Sequence, residues 1–186
     1  MLEISQLSAG YGQVEVLWEV DLEVGDGEIV ALVGSNGAGK TTLLRAVSGM
    51  IATTSGQVSF DGESLTGLRP EQVVGRGIAH VPEGRHLFSG LTVKENLMAG
   101  AFARRNGSDV ERALELIRSL KDDGVTVLVV EHVMKAIMAV SDSLLVMHEG
   151  KELVYGDPKE VMEDERVIEA YLGQRYAQRA KEDRDA

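Results

Sequence analysis

The 186-residue sequence has no cysteine, no long apolar run and a shortage of basic residues. Without cysteine there can be no disulfide and no thiolate metal or redox site, which fits a reducing compartment. The longest apolar stretches, such as residues 125–130, have the length of a strand and are too short to cross a bilayer as a helix. No segment with a basic start, an apolar middle and small residues at its end opens the chain, so a cytoplasmic location is expected. Lys and Arg number 19 against 30 Asp and Glu, a net charge of −11. That balance argues against nucleic acid as a partner, because a phosphate backbone demands a basic surface. The one local basic cluster, Arg104-Arg105, is too small to change this.

What is present is ordinary in bulk and specific in one place. Hydrophobic residues at 44% and charged residues at 26% suit a globular domain, and the length suffices for one core. The specific feature is Gly34-Ser35-Asn36-Gly37-Ala38-Gly39-Lys40-Thr41, which follows the apolar run Ile29-Val30-Ala31-Leu32-Val33. Thr42-Leu43-Leu44-Arg45-Ala46-Val47 comes next and reads as a helix. Strand, glycine loop and helix in that order are the context of a phosphate-binding P-loop. Glycines let the backbone wrap an anion, with successive N–H groups and the helix N-terminus aimed at phosphate oxygens. Lys40 would supply a point charge to the β- and γ-phosphates, and the Thr41 hydroxyl a ligand for Mg²⁺.

Around this loop the chain alternates strands and helices. Residues 1–33 alternate apolar runs, 2–7 and 14–24 among them, with the turns Gly10-Tyr11-Gly12 and Gly25-Asp26-Gly27, and read as a strand-rich opening of the antiparallel kind. Gly49 and the polar stretch Thr53-Thr54-Ser55-Gly56 read as a break, followed by a strand from Gln57. A short helix is expected over residues 71–76, entered through Pro70, and a strand over 77–81. Helices are expected over residues 91–103, 109–120 and 134–140, with a buried strand over 125–131 between the last two. Residues 144–147 and 152–155 read as a hairpin round Glu149-Gly150. Helices starting near Asp157-Pro158 and spanning 167–172 complete the pattern. The expected fold is α/β, a parallel sheet with an antiparallel β edge layer, in one domain over residues 1–173. Residues 174–186 read as a polar tail.

These segments resemble, in order, the ATP-binding subunits of ABC transporters, and more narrowly those of branched-chain amino-acid importers. The resemblance implies a RecA-like P-loop NTPase core of the ABC nucleotide-binding type, with ATP and Mg²⁺ as ligands. The segment Ser8-Ala9-Gly10-Tyr11-Gly12 is similar to the family's aromatic loop, with Tyr11 as the adenine platform and Val16 nearby. Gly34, Ser35, Asn36, Gly37, Ala38, Gly39, Lys40, Thr41 and Thr42 match the nucleotide-binding loop. Glu83, after Gly77-Ile78-Ala79-His80-Val81-Pro82, matches the Q-loop position, where an oxygen can serve Mg²⁺ or the attacking water. His132, after Val127-Leu128-Val129-Val130-Glu131, matches the switch histidine. His80, His86 and His148 match no role and read as structural or surface residues. The implied partners are transmembrane permease subunits and a second ATP-binding subunit, with the chain peripheral on the inner face of the cell membrane.

One region departs from the family. Between residues 105 and 109 the family's helical subdomain, Leu-Ser-Gly-Gly signature, Walker B strand and D-loop are absent. The seam falls at Asn106-Gly107-Ser108, dividing an N-terminal part, 1–105, from a C-terminal part, 109–173. Phosphoryl transfer is mainly positioning and charge stabilisation, so losing the Walker B carboxylates predicts nucleotide binding with little or no hydrolysis. Closing the sheet across the gap predicts that the strand over residues 78–81 pairs with that over 127–130. No Asn-Lys-x-Asp guanine reader is present, which disfavours a GTPase.

Overall fold

The chain begins with two long strands, β1 (Leu2–Tyr11) and β2 (Val14–Val24), then β3 (Ile29–Gly34), α1 (Lys40–Val47), β4 (Thr53–Phe60), β5 (Glu63–Ser64) and α2 (Pro70–Val74). After these come β6 (Val127–Val130), α3 (Met134–Val140), β7 (Ser143–His148), β8 (Lys151–Gly156), α4 (Pro158–Glu163) and α5 (Glu165–Leu172). This is a computed structural model, and it describes residues 1–81, 122–130 and 134–172. The expected helices at 91–103 and 109–120, the seam at 106–108 and the tail at 174–186 lie outside the described residues.

Among the described residues two four-stranded sheets face each other. One runs β2-β1-β4-β5 and is antiparallel throughout. The other runs β6-β3-β7-β8, with β6 and β7 parallel to β3 on either side and β8 returning antiparallel along β7. The two-residue period of a strand sorts side chains between two cores. Val30 and Leu32 of β3, with Leu145 and Met147 of β7, join Leu7, Leu17, Val20 and the buried face of α1 between the sheets. Ala31 and Val33, with Leu144 and Val146, face the other way onto Ile137, Val161 and Val167 of α3, α4 and α5. A strand buried on both faces reads as an unbroken apolar run, and Ile29–Val33 is one.

Local chemistry sets the ends. Thr42, Leu43, Ala46 and Val47 recur at helical spacing and give α1 one buried stripe. Asp157 caps α4 by accepting from the Lys159 and Glu160 amides at 2.8 and 3.4 Å, with Pro158 at the first helical position.

Three expectations need correction. Thr53-Thr54-Ser55-Gly56 does not break the chain; it forms the first half of β4, because Ser55 and Thr53 find register opposite Ser8 and Ala9. The strand over residues 125–131 is shorter, Val127–Val130, and half-buried along its whole length. Its one partner strand among the described residues is β3. Residues 78–81 form no strand, so the pairing with Val127–Val130 does not occur. A strand exists only through its ladder, and here Ile78 packs on the inter-sheet core while Val81 is 86% exposed.

Candidate functional site

The loop at residues 34–41 leaves β3 at the end of the parallel sheet and enters α1, where open α/β sheets bind ligands. Gly39 occupies the N-cap of α1 in the left-handed region at φ 102°, which only glycine adopts without strain. A Cβ there would also lie 2.7 Å from Leu17 and 3.3 Å from Met147, so the loop floor is packed to its limit. Gly37 is likewise left-handed, and Ala38 N–H closes the turn onto the Ser35 carbonyl at 3.1 Å.

Lys40 spans this loop from the inside. Its ammonium donates to the Gly34 carbonyl at 2.8 Å and the Ser35 carbonyl at 2.9 Å. The first bond of α1 runs from Leu43 N–H to the Gly39 carbonyl at 2.9 Å. The amides of Lys40, Thr41 and Thr42 therefore precede any intrahelical acceptor, and no side chain caps them. Three amide donors and one ammonium converging at a helix N-terminus fit a polyanion. Ser35, Asn36, Gly37 and Thr41 are exposed around this cradle, and Ala38 is buried beneath it. Among the described residues no group of three or more His, Asp or Glu could hold a metal alone. The Thr41 hydroxyl would accordingly be one ligand for a Mg²⁺ carried in on phosphate oxygens.

Tyr11, at the end of β1, reaches the outer side of α1. Arg45 donates to its phenol oxygen at 3.0 Å, with the guanidinium carbon 6.0 Å from the ring centroid. Burial of the phenol opposes its ionisation, but hydrogen bonds from Thr42 and Arg45 and the Arg45 charge outweigh it, so its pKa lies below the ordinary value. Tyr11 is 43% exposed and so retains accessible surface. Thr42 is buried beside it. Val16 is half-buried, and its carbonyl backs onto Gly150 of the β7–β8 turn. That turn supports the loop from behind, because Gly150 N–H donates to the Ala38 carbonyl at 3.1 Å.

The structure thus brings Tyr11, Thr42 and residues 34–41 to one end of α1 and its outer face. Glu83 and His132 lie outside the described residues. His80 binds Ser48 at the end of α1 through Nδ1 at 2.8 Å. Ser48 Oγ donates its proton to the Leu44 carbonyl at 2.6 Å, so Nδ1 of His80 carries the hydrogen between them. Three contributors escaped sequence reasoning. Arg45 was legible only as a helical residue, though its i+3 spacing from Thr42 places both on one face. Gly150 read as a hairpin turn and Trp18 as a strand residue, and nothing in the sequence marked their approach to the loop.

The ABC transporter family model matches residues 17–153, and the model for the branched-chain amino acid ATP-binding cassette transporter matches residues 153–177. The chain is 44% identical over 125 residues to the high-affinity branched-chain amino acid transport ATP-binding protein BraG of Pseudomonas aeruginosa, covering 66% of this chain and 54% of the relative. It is 40% identical over 102 residues to the probable branched-chain amino acid transport ATP-binding protein LivF of Archaeoglobus fulgidus, covering 55% and 43%. The chain therefore spans about half the length of these two relatives. Against BraF of Pseudomonas aeruginosa, identity is 24% over 250 aligned residues, covering 94% of this chain and 98% of the relative. A nucleotide-free ATP-binding cassette from an ABC transporter superposes with a TM-score of 0.73 at 19% identity, covering 94% of this chain and 99% of the other. An ATP binding subunit of an ABC transporter gives 0.71 at 23% identity, covering 96% and 98%. Among the described residues no helix is long and apolar enough to cross a membrane.

Proposed function

The chain belongs to the ABC transporter family, and on that premise we propose that it is an ATP-binding, energy-coupling subunit of an importer for branched-chain amino acids. The observation that carries the ligand is the uncapped amide cluster at the start of α1, with the Lys40 ammonium held at 2.8 Å from the Gly34 carbonyl. ATP phosphates are received by residues 34–42, and the adenine by Tyr11 with Val16 beside it. Thr41 and Glu83 would hold Mg²⁺, which would supply charge neutralisation at the phosphates. His132 contacts the γ-phosphate. The cargo assignment is supported by the names of the relatives and by the second family match at residues 153–177. Permease subunits and a second ATP-binding subunit are the partners, and they keep the chain at the inner face of the cell membrane.

The chain binds nucleotide without turning it over. No apolar strand ending in Asp-Glu and no Leu-Ser-Gly-Gly signature occurs in the sequence. The aligned length of 250 residues against BraF, for a chain of 186, is consistent with segments of that relative having no counterpart here. The single partner strand of Val127–Val130 among the described residues fits the loss of the neighbouring strand. This favours a second reading of the whole, a nucleotide-binding module with no transport role of its own. Phosphate release from Mg-ATP, measured with and without permease and an intact second subunit, tests the proposal. Hydrolysis at the rate of a complete cassette would refute the dead-site reading, and failure to bind ATP at all would refute the function.

A further inference from the structure

The ATP reading above leaves Arg45 without a task, and the structure gives it a specific one. Resting on that reading, we propose that Arg45 is a positioning residue that sets the base end of the nucleotide by holding the Tyr11 ring against α1. The guanidinium donates to the phenol oxygen at 3.0 Å and lies 6.0 Å from the ring centroid. Tyr11 stands at the tip of the β1–β2 hairpin, where its last ladder partner is Val14 and the turn passes through Gly12 at φ 62°. A ring on such a tip is free to swing unless its far end is tied, and Arg45 ties it.

The tie couples the two ends of the site. α1 begins at Lys40, whose ammonium and first-turn amides face the phosphate end. Arg45 sits five residues on, about 7.5 Å along the helix axis. One rigid helix therefore carries both the phosphate cradle and the anchor of the aromatic platform, so the distance between them does not depend on the hairpin. Preorganising the ring reduces the ordering that base binding would otherwise require. Arg45 is exposed, and it lies toward the Tyr11 side of the helix rather than in the loop, so its own charge is not part of the cradle.

The test compares Mg-ATP with magnesium tripolyphosphate, which carries the phosphates and no base, by calorimetric titration of the whole chain. Wild type, Arg45→Ala, Tyr11→Phe and the double variant are titrated with each, after matching melting temperatures confirm the fold. The expected result is that Arg45→Ala and Tyr11→Phe each weaken ATP about two- to tenfold, the worth of one or two hydrogen bonds. Tripolyphosphate affinity stays unchanged, and the double variant is no weaker than either single one, because both changes cut the same tie. Equal weakening of both ligands would overturn the proposal by placing Arg45 at the phosphates or in the fold. Unaltered ATP binding in Arg45→Ala, or additive losses in the double variant, would overturn it as well. If wild type binds neither ligand, the ATP reading fails and the proposal fails with it. If wild type binds the two ligands equally, the base platform is what fails.

Discussion

Gly150 donates its backbone N–H to the Ala38 carbonyl at 3.1 Å while its own carbonyl accepts from Trp18 N–H at 3.0 Å. The turn between β7 and β8 is thereby fixed between β2 and the floor of the phosphate loop. A Cβ on Gly150 would lie 1.9 Å from the Val16 carbonyl and 2.7 Å from the Trp18 ring, at a φ of 79°. Gly150→Ala should therefore cost more than backbone strain alone, which is on the order of 1 kcal/mol. Gly12→Ala is the control, because Gly12 shares the left-handed φ, at 62°, with nothing within 4 Å of the added carbon. Urea unfolding of both variants should show the larger loss at Gly150, and equal losses would show that the turn is not wedged.

Lys40→Ala removes the ammonium that bonds both Gly34 and Ser35 and that would meet the phosphates. Charge-assisted bonds of this kind are worth about 1.5–3 kcal/mol, so ATP affinity should fall roughly ten- to a hundredfold. Titration calorimetry reads this directly, and tripolyphosphate affinity should fall in parallel because the lost contact is to phosphate.

Tyr11 should ionise before Tyr155. Tyr11 is an acid whose folded pKa is depressed, although burial opposes this, because Thr42 and Arg45 bond and charge-stabilise the phenolate. Its contribution to stability is present above its unfolded pKa and lost as pH falls through the folded one. Tyr155 runs the opposite way, with burial first and the nearby Glu28 and Glu23 charges next raising its pKa, while its hydroxyl donates to the Glu23 carbonyl at 2.9 Å. Its contribution is complete below its unfolded pKa and disappears as pH rises through the folded one. In an alkaline absorbance titration the tyrosinate step lost in Tyr11→Phe should lie at lower pH than the step lost in Tyr155→Phe. In Arg45→Ala the Tyr11 step should move to higher pH.

The two faces of the mixed sheet predict unequal costs for shortened side chains. Leu145 of β7 is fully buried between the sheets, so Leu145→Ala should cost about 2–5 kcal/mol. Leu128 of β6 packs on the same core but is half-buried, so Leu128→Ala should cost clearly less. Chemical denaturation of both variants measures the difference. An equal cost would mean that β6 is covered as fully as β7.

How much of this was legible in the sequence follows from which interactions are local. The loop at residues 34–41, the two-faced strand Ile29–Val33 and the Asp157-Pro158 helix start are written in contiguous residues, and the structure has each where the pattern put it. The hairpin round Glu149-Gly150 was equally plain. What failed were strands whose existence depends on a neighbour distant in sequence. Thr53–Gly56 looks like a break until β1 supplies its ladder, and residues 78–81 look like a strand until no ladder is found. In the site, Lys40 and Thr41 were readable from the motif, whereas the Arg45–Tyr11 bond joins residues 34 apart and the Gly150–Ala38 bond residues more than 100 apart. Such pairings exist only once both sheets have assembled.

The central claim is that this chain holds ATP on residues 34–42 and does not hydrolyse it. Equilibrium dialysis of the chain against labelled Mg-ATP, followed by chromatography of the protein-bound nucleotide, tests both halves together. The account predicts one nucleotide bound per chain, recovered as intact triphosphate, with binding weakened in Lys40→Ala. Recovery of the bound label as diphosphate, or no bound label at all, would contradict it.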